Sequence, residues 1–227
     1  MKFLYAKRGT IFVLLAIIIA GAALGVTTSA VSAFSPSETV VVIDAGHGGI
    51  DSGVVGVYSR TKESDINLAI ARFLRGYFAE AGFCAVMTRN SNGGLYGLPT
   101  SGFKKRDMKK RRDIIQSCNA DMVISVHQNS CPIPSRRGGQ VFYDKSSSCG
   151  KALAESIQNS LNSMENCPRK SSALTGDYYM LKCTDNPSVI VECGFLTNSE
   201  DDRLLNTEQY QKEIAYAIFK GAVGYYA

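Results

Sequence analysis

The segment Thr39–Ile43 (TVVVI) constrains this chain more than any other: five consecutive β-branched residues with no polar alternation. A strand with one solvated face alternates apolar and polar residues, so a run without alternation belongs to a strand covered on both faces. Met122–Val126 (MVISV) and Ser188–Val191 (SVIV) have the same character. Between such runs the spacing changes. Ile66, Ile70, Phe73, Leu74, Tyr77 and Phe78 recur at three and four residues, which predicts an amphipathic helix over about 63–81, stopped by Gly82. Further helices are expected near 104–118 and 150–165 and through Tyr210, Ile214, Ala217, Ile218 and Val223. Further strands are expected at 83–88, 140–143 and 178–181, with 90–102 a long polar loop. The order β-α-β-α-β-β-α-β-β-α, without internal repeat, predicts a single α/β domain: a twisted mixed β-sheet flanked by helices on both faces.

The 227-residue chain leaves room for one such domain and an appendage. Lys7 and Arg8 precede Ile11–Val26, 16 residues without a charge, and Val31-Ser32-Ala33 supplies small residues beyond it. Positive flank, apolar centre and small-residue exit read as an export signal. Thr27–Ala33 extends the uncharged run toward the roughly 20 residues of a membrane span. Residues 1–33 are therefore expected to be a cleaved signal peptide or a retained membrane anchor, 34–38 a linker and 39–227 the folded domain, lying outside the cytoplasmic membrane. Of the formal charge of +5, Lys2, Lys7 and Arg8 carry three, and the remaining +2 does not argue for a nucleic-acid partner. The run Lys104–Arg112, seven basic residues and one acid in nine, reads as a solvated helix face, with a site for anionic glycan or lipid headgroups as the alternative. Seven cysteines are an odd number and none forms C-x-x-C, so a structural cysteine-zinc site has no support. Cys84, in an apolar run, reads as a small core residue.

The only two histidines, His47 and His127, each follow an apolar strand directly. In an open α/β sheet the carboxyl ends of the strands form the ligand crevice, so both histidines are expected there. A catalytic zinc takes three protein ligands and leaves a position for water. Glu63, opening the helix after the His47 loop, is the candidate third ligand. Glu192 ends the apolar strand SVIV, where an unpaired carboxylate is costly; a purely structural role would require a cation such as Lys182 or Arg169. A carboxylate placed there suits proton transfer beside a metal.

The segments VVIDAGHGGIDSGVVG, ESDINLAI, ISVHQNS and PSVIVECGFLTN resemble, in order, the four signature blocks of the zinc-dependent N-acetylmuramoyl-L-alanine amidases, the type-3 cell-wall amidases. The resemblance runs from about Val40 to the C-terminus. It implies one zinc per chain held by His47, Glu63 and His127, with Glu192 as the catalytic carboxylate, and peptidoglycan as substrate, cleaved between N-acetylmuramic acid and L-alanine. Arg111 matches a basic position that the family carries ahead of the second histidine. The small size and hydrophobic N-terminus further resemble the spore-cortex amidases, which strip stem peptides so that a partner deacetylase can form muramic-δ-lactam. Gln128, where the family usually has a small residue, and the loop 90–102 depart from the pattern. A single small domain without a recognisable wall-targeting module takes its localisation from its anchor or from an exported accessory protein. Two other functions remain open on the sequence: a cysteine hydrolase using Cys193 with His127, and a catalytically silent wall-binding or scaffold protein.

Overall fold

In a computed structural model, which describes residues 38–226, six strands hydrogen-bond in the order β2-β1-β3-β6-β4-β5. The strands are β1 (Val40–Ala45), β2 (Cys84–Met87), β3 (Met122–Asn129), β4 (Gln140–Tyr143), β5 (Leu174–Thr175) and β6 (Ser188–Phe195). β1 pairs in parallel with β2 and β3, and β3 with β6; β4 runs antiparallel to β6, which makes the sheet mixed. The helices are α1 (Glu63–Glu80), α2 (Phe103–Ser117), α3 (Ser148–Asn162), α4 (Ser199–Leu205) and α5 (Glu208–Gly224). The expected signal or anchor, residues 1–33, and linker positions 34–37 lie outside the described residues.

The unalternating strands are covered on both faces, as expected. Val41 and Ile43 of β1 and Val189 and Val191 of β6 pack in one core with residues of α1, α3 and α5. Val42 of β1, Val123 of β3 and Ile190 of β6 point the other way and pack with Ile115 of α2 and with Met180 and Leu181. Successive side chains of a strand point to opposite faces, so an all-apolar strand serves two cores.

Four local expectations need correction. Residues 178–181 are not a strand: Tyr179–Lys182 form a 3-10 turn, and the sheet ends beyond β4 on the two-residue β5. Helix α4 was not legible as a periodic pattern because it is only seven residues long; Asn198 caps it, accepting from the N–H groups of Glu200 and Asp201. β3 and β6 continue three and four residues beyond their apolar runs, because ladder pairing extends to His127 with Glu192 and Asn129 with Phe195. Cys84 is exposed, since it opens β2 at the edge of the sheet. All seven cysteines are free thiols.

Candidate metal centre

Three elements deliver His47, Glu63 and His127 to the carboxyl edge of the sheet. His47 stands in the loop after β1, Glu63 in the first turn of α1, and His127 within β3. His47 Nε2 and His127 Nδ1 lie 3.2 and 3.0 Å from the same atom, Glu63 Oε1. One potential ligand atom from each residue lies within 4.8 Å of the others. Tetrahedral zinc with ligands at about 2.0–2.1 Å separates them by about 3.3 Å, so the donor set and its spacing fit that ion.

The protein holds each donor in place. Glu63 is only 2% exposed, and its Oε2 accepts from Val54 N at 2.8 Å. Its Oε1 accepts from Gln128 N at 3.1 Å and from Asn67 Nδ2 at 3.2 Å, and Gln128 Nε2 in turn donates to Asn67 Oδ1. Burial opposes ionisation of Glu63, but hydrogen bonds from His127 and His47 outweigh it and hold the carboxyl below its ordinary range. His47 adopts φ +61°, in the left-handed region that non-glycine residues rarely occupy. Two buried arginines clamp the backbone on which it sits. Arg111 donates to the carbonyls of Ala45 (2.7 Å) and His47 (2.6 Å), and Arg89 to those of Ala45 (2.8 Å) and Gly46 (2.9 Å). Asp51 Oδ2 lies 3.0 Å from His47 Nδ1, the nitrogen turned away from Glu63. Burial lowers the pKa of His47, but Glu63 and Asp51 more than compensate and raise it. A carboxylate behind a ligating imidazole fixes its orientation and raises its basicity.

Glu192 faces His127 across the β3–β6 ladder. Its Oε2 is buried and has no hydrogen-bond partner among the described residues. Neither proposed cation serves it: Lys182 pairs with Asp177 and Asp144, and Arg169 forms no ion pair among the described residues. Burial above all, with a contribution from the charge of Glu63 and against that of the two histidines, pushes its carboxyl up to about 6. The Cys193 alternative fails on geometry. Cys193 packs in the main core, buried to 1%, and burial holds its thiol protonated. Its side chain therefore leaves β6 away from the histidines.

Asp51, Asn67 and Arg89 were not singled out by the sequence, and Gln128 only as a departure from the family pattern. Only Asn67 left a signal, because it lies four residues after Glu63 on the same helix face. A crevice of about 250 Å³ borders the two histidines and Asp51, and Lys104, Tyr178 and Tyr179 also line it.

Fold and donor set together fit one class, hydrolases of α/β architecture in which residues able to hold a cation and a carboxylate share a crevice at the sheet edge. Residues 41–223 match the N-acetylmuramoyl-L-alanine amidase family, and the chain belongs to it. It is 34% identical to the germination-specific N-acetylmuramoyl-L-alanine amidase of Bacillus subtilis, over 84% of this chain and 81% of that one. The structure of the CwlD amidase from Clostridioides difficile, in complex with the GerS lipoprotein, superposes with a TM-score of 0.79 at 36% identity, covering 83% of this chain and 98% of that one. An N-acetylmuramoyl-L-alanine amidase from Clostridium difficile 630 gives 0.75 at 26% identity, with 85% and 98% covered. The chain is thus a peptidoglycan amidase for the bond between N-acetylmuramic acid and L-alanine.

Proposed function

We propose that this amidase works with one zinc ion held by His47, Glu63 and His127, and that Glu192 is its proton-transfer group. The observation that carries the reading is the convergence of two imidazole nitrogens on Glu63 Oε1 at 3.0 and 3.2 Å, beside a buried carboxylate oxygen without a partner. Zinc bound there supplies a Lewis acid that polarises the scissile carbonyl and lowers the pKa of water. Glu192 takes the proton of the attacking water on Oε2 and returns it to the amine of L-alanine, which leaves only when protonated. Asp51 keeps His47 turned toward the site, while Asn67 and the backbone of Gln128 hold Glu63. The clamp of Arg111 and Arg89 keeps the His47 loop from relaxing out of its strained conformation.

The biological setting we infer is spore-cortex maturation. Removal of stem peptides would prepare muramic acid for a deacetylase that forms muramic-δ-lactam. The named activity of the Bacillus subtilis relative supports this setting, and the complex of CwlD with a lipoprotein supports an exported accessory protein for this chain. Residues 1–33 as signal or anchor, 34–38 as linker and 39–227 as the zinc amidase catalytic domain complete the reading, with the catalytic domain outside the cytoplasmic membrane, anchored or released, in a sporulating cell between the forespore membranes.

Glu192→Gln tests the assignment. The amide keeps the shape and removes the basicity, so zinc content and melting temperature should hold while turnover falls about 10²–10⁴-fold. Zinc analysis, thermal unfolding and release of L-alanine-linked peptides are read on one preparation. A variant that is destabilised yet fully active per folded molecule would mean that Glu192 is structural.

A further inference from the structure

At the same carboxyl edge of the sheet lies a second cavity, of about 270 Å³, that the chemistry above does not use. Its lining includes Arg136, Arg137, Arg169, Gln140, Ser171 and Phe195. Two of these residues tie it to the reaction centre. Gln140 is the ladder partner of Glu192 across the antiparallel β4–β6 pair, which puts their Cα atoms about 5 Å apart. Phe195 lies three residues beyond Glu192 on β6. Gln140 opens β4 and Phe195 ends β6, so the cavity lies at the same carboxyl edge of the sheet as Glu192, with the Gln140 side chain turned to Gln158 Oε1 (3.2 Å) and the Ser172 carbonyl (2.7 Å).

Its charge is lopsided. Arg137 Nε lies 3.2 Å from Asp201 Oδ1, and Asp201 Oδ2 is occupied by the N–H groups of Gly138 (2.7 Å) and Phe195 (3.0 Å). Asp201 thus anchors Arg137 and the cavity rim. The Arg136 guanidinium lies over the Phe195 ring, 5.9 Å from its centroid. Neither Arg136 nor Arg169 forms an ion pair among the described residues, and no acidic residue lines the cavity. Guanidinium groups that are not neutralised favour planar anions, which they bind through paired N–H donors. By contrast, the central crevice carries Tyr178 and Tyr179, and its exposed cation, Lys104, is paired with Asp51 at 3.5 Å.

The scissile amide joins a sugar to a peptide, and a peptide ends in a carboxylate. Two or three residues of extended peptide span about 7–10 Å, more than the about 5 Å between neighbouring strands that separates the Cα atoms of Gln140 and Glu192. We propose that the cavity bounded by Arg136, Arg137 and Arg169 binds carboxylates of the stem peptide, and so sets which peptides are removed. This rests on the amidase reading and adds to it a peptide-side subsite.

The test compares a muramyl tripeptide bearing free carboxylates with the same compound amidated at them, using the full-length zinc-loaded chain. The wild type should prefer the free acid by about tenfold or more in kcat/KM, as expected for lost charged hydrogen bonds. The Arg136→Gln/Arg169→Gln variant should lose that preference through KM, at unchanged zinc content and melting temperature. Arg75→Gln, on an exposed position of α1, should keep it and so controls for net charge. Binding of the free fluorescent tripeptide to zinc-free protein reads the cavity without catalysis and should weaken in the double variant only. Cleavage without preference by the wild type, or preference retained by the double variant, overturns the subsite and leaves the amidase reading standing. Loss of an accessory protein from the double variant, with preference intact, also overturns it and marks the cavity as a docking site. Tripeptide binding that depends on the arginines in a zinc-loaded wild type that cleaves neither compound supports the subsite and refutes the catalytic assignment.

Discussion

Replacing Asp44 by Asn should remove about 2 kcal/mol of the acid sensitivity of this protein's stability. Asp44 lies in β1, 1% exposed, one strand residue from the loop that carries His47. Its Oδ1 accepts from Thr88 Oγ1 (2.7 Å) and Arg111 Nη1 (2.6 Å), and its Oδ2 from Ser125 Oγ (2.6 Å). Burial alone would raise its pKa, but the Arg111 guanidinium, then the Ser125 and Thr88 hydroxyls and His127, outweigh it and hold the carboxyl at about 2 against an ordinary 3.8. The native pKa is depressed, so the ionised form contributes stability that is present above pH 3.8 and lost as the pH falls through 2. At 1.36 kcal/mol per pKa unit the contribution is about 2 kcal/mol. The Asn variant loses this at neutral pH. It also sets an amide N–H against a donor and leaves Arg111, itself buried, with Asp107 as its remaining carboxylate. Together these should cost about 3–5 kcal/mol at pH 7. Urea unfolding of both proteins in EDTA, so that no metal adds to the folded state, should show that gap narrowing by about 2 kcal/mol between pH 5 and pH 2. A gap that stays constant or widens on acidification would refute the reasoning, because it would mean that Asp44 is not held ionised by this network.

Two further perturbations probe the centre itself. Gly53 has φ +64°, and a Cβ there would lie 2.4 Å from Glu63 Oε2, so Gly53→Ala should displace the carboxylate and weaken zinc binding about tenfold or more; metal titration against a competing chelator checks it, and unchanged affinity would mean that Glu63 is not a ligand. Asp51→Ala should weaken zinc binding about 10–100-fold by freeing His47 Nδ1, with little change in melting temperature because Asp51 is partly exposed; equal affinity in the same titration, or a large loss of stability, would show that Asp51 does not orient the ligand.

By itself the sequence determined the layers and the members of the central site. Runs such as TVVVI and MVISV report two covered faces because burial acts residue by residue along a strand, and the period of α1 reports its buried stripe for the same reason. Two histidines and two carboxylates at strand ends or helix starts were legible because a charged or coordinating group beside an apolar run is a local anomaly. Tertiary structure alone decided how those elements pair and what holds the candidate ligands. The antiparallel entry of β4, the extension of β6 past Glu192 and the 3-10 turn at 179–182 follow from ladder partners distant in sequence. The grip of Arg111 on the carbonyl of His47, 64 residues away, and that of Arg89 on Gly46, 43 residues away, leave no periodic trace: the resemblance marked Arg111 as a basic position but not what it holds, and Arg89 looks like any other basic residue until the chain closes. Cys84 shows the converse: its apolar neighbours signalled a core position, and only the order of the strands, which puts β2 at the edge, exposed it.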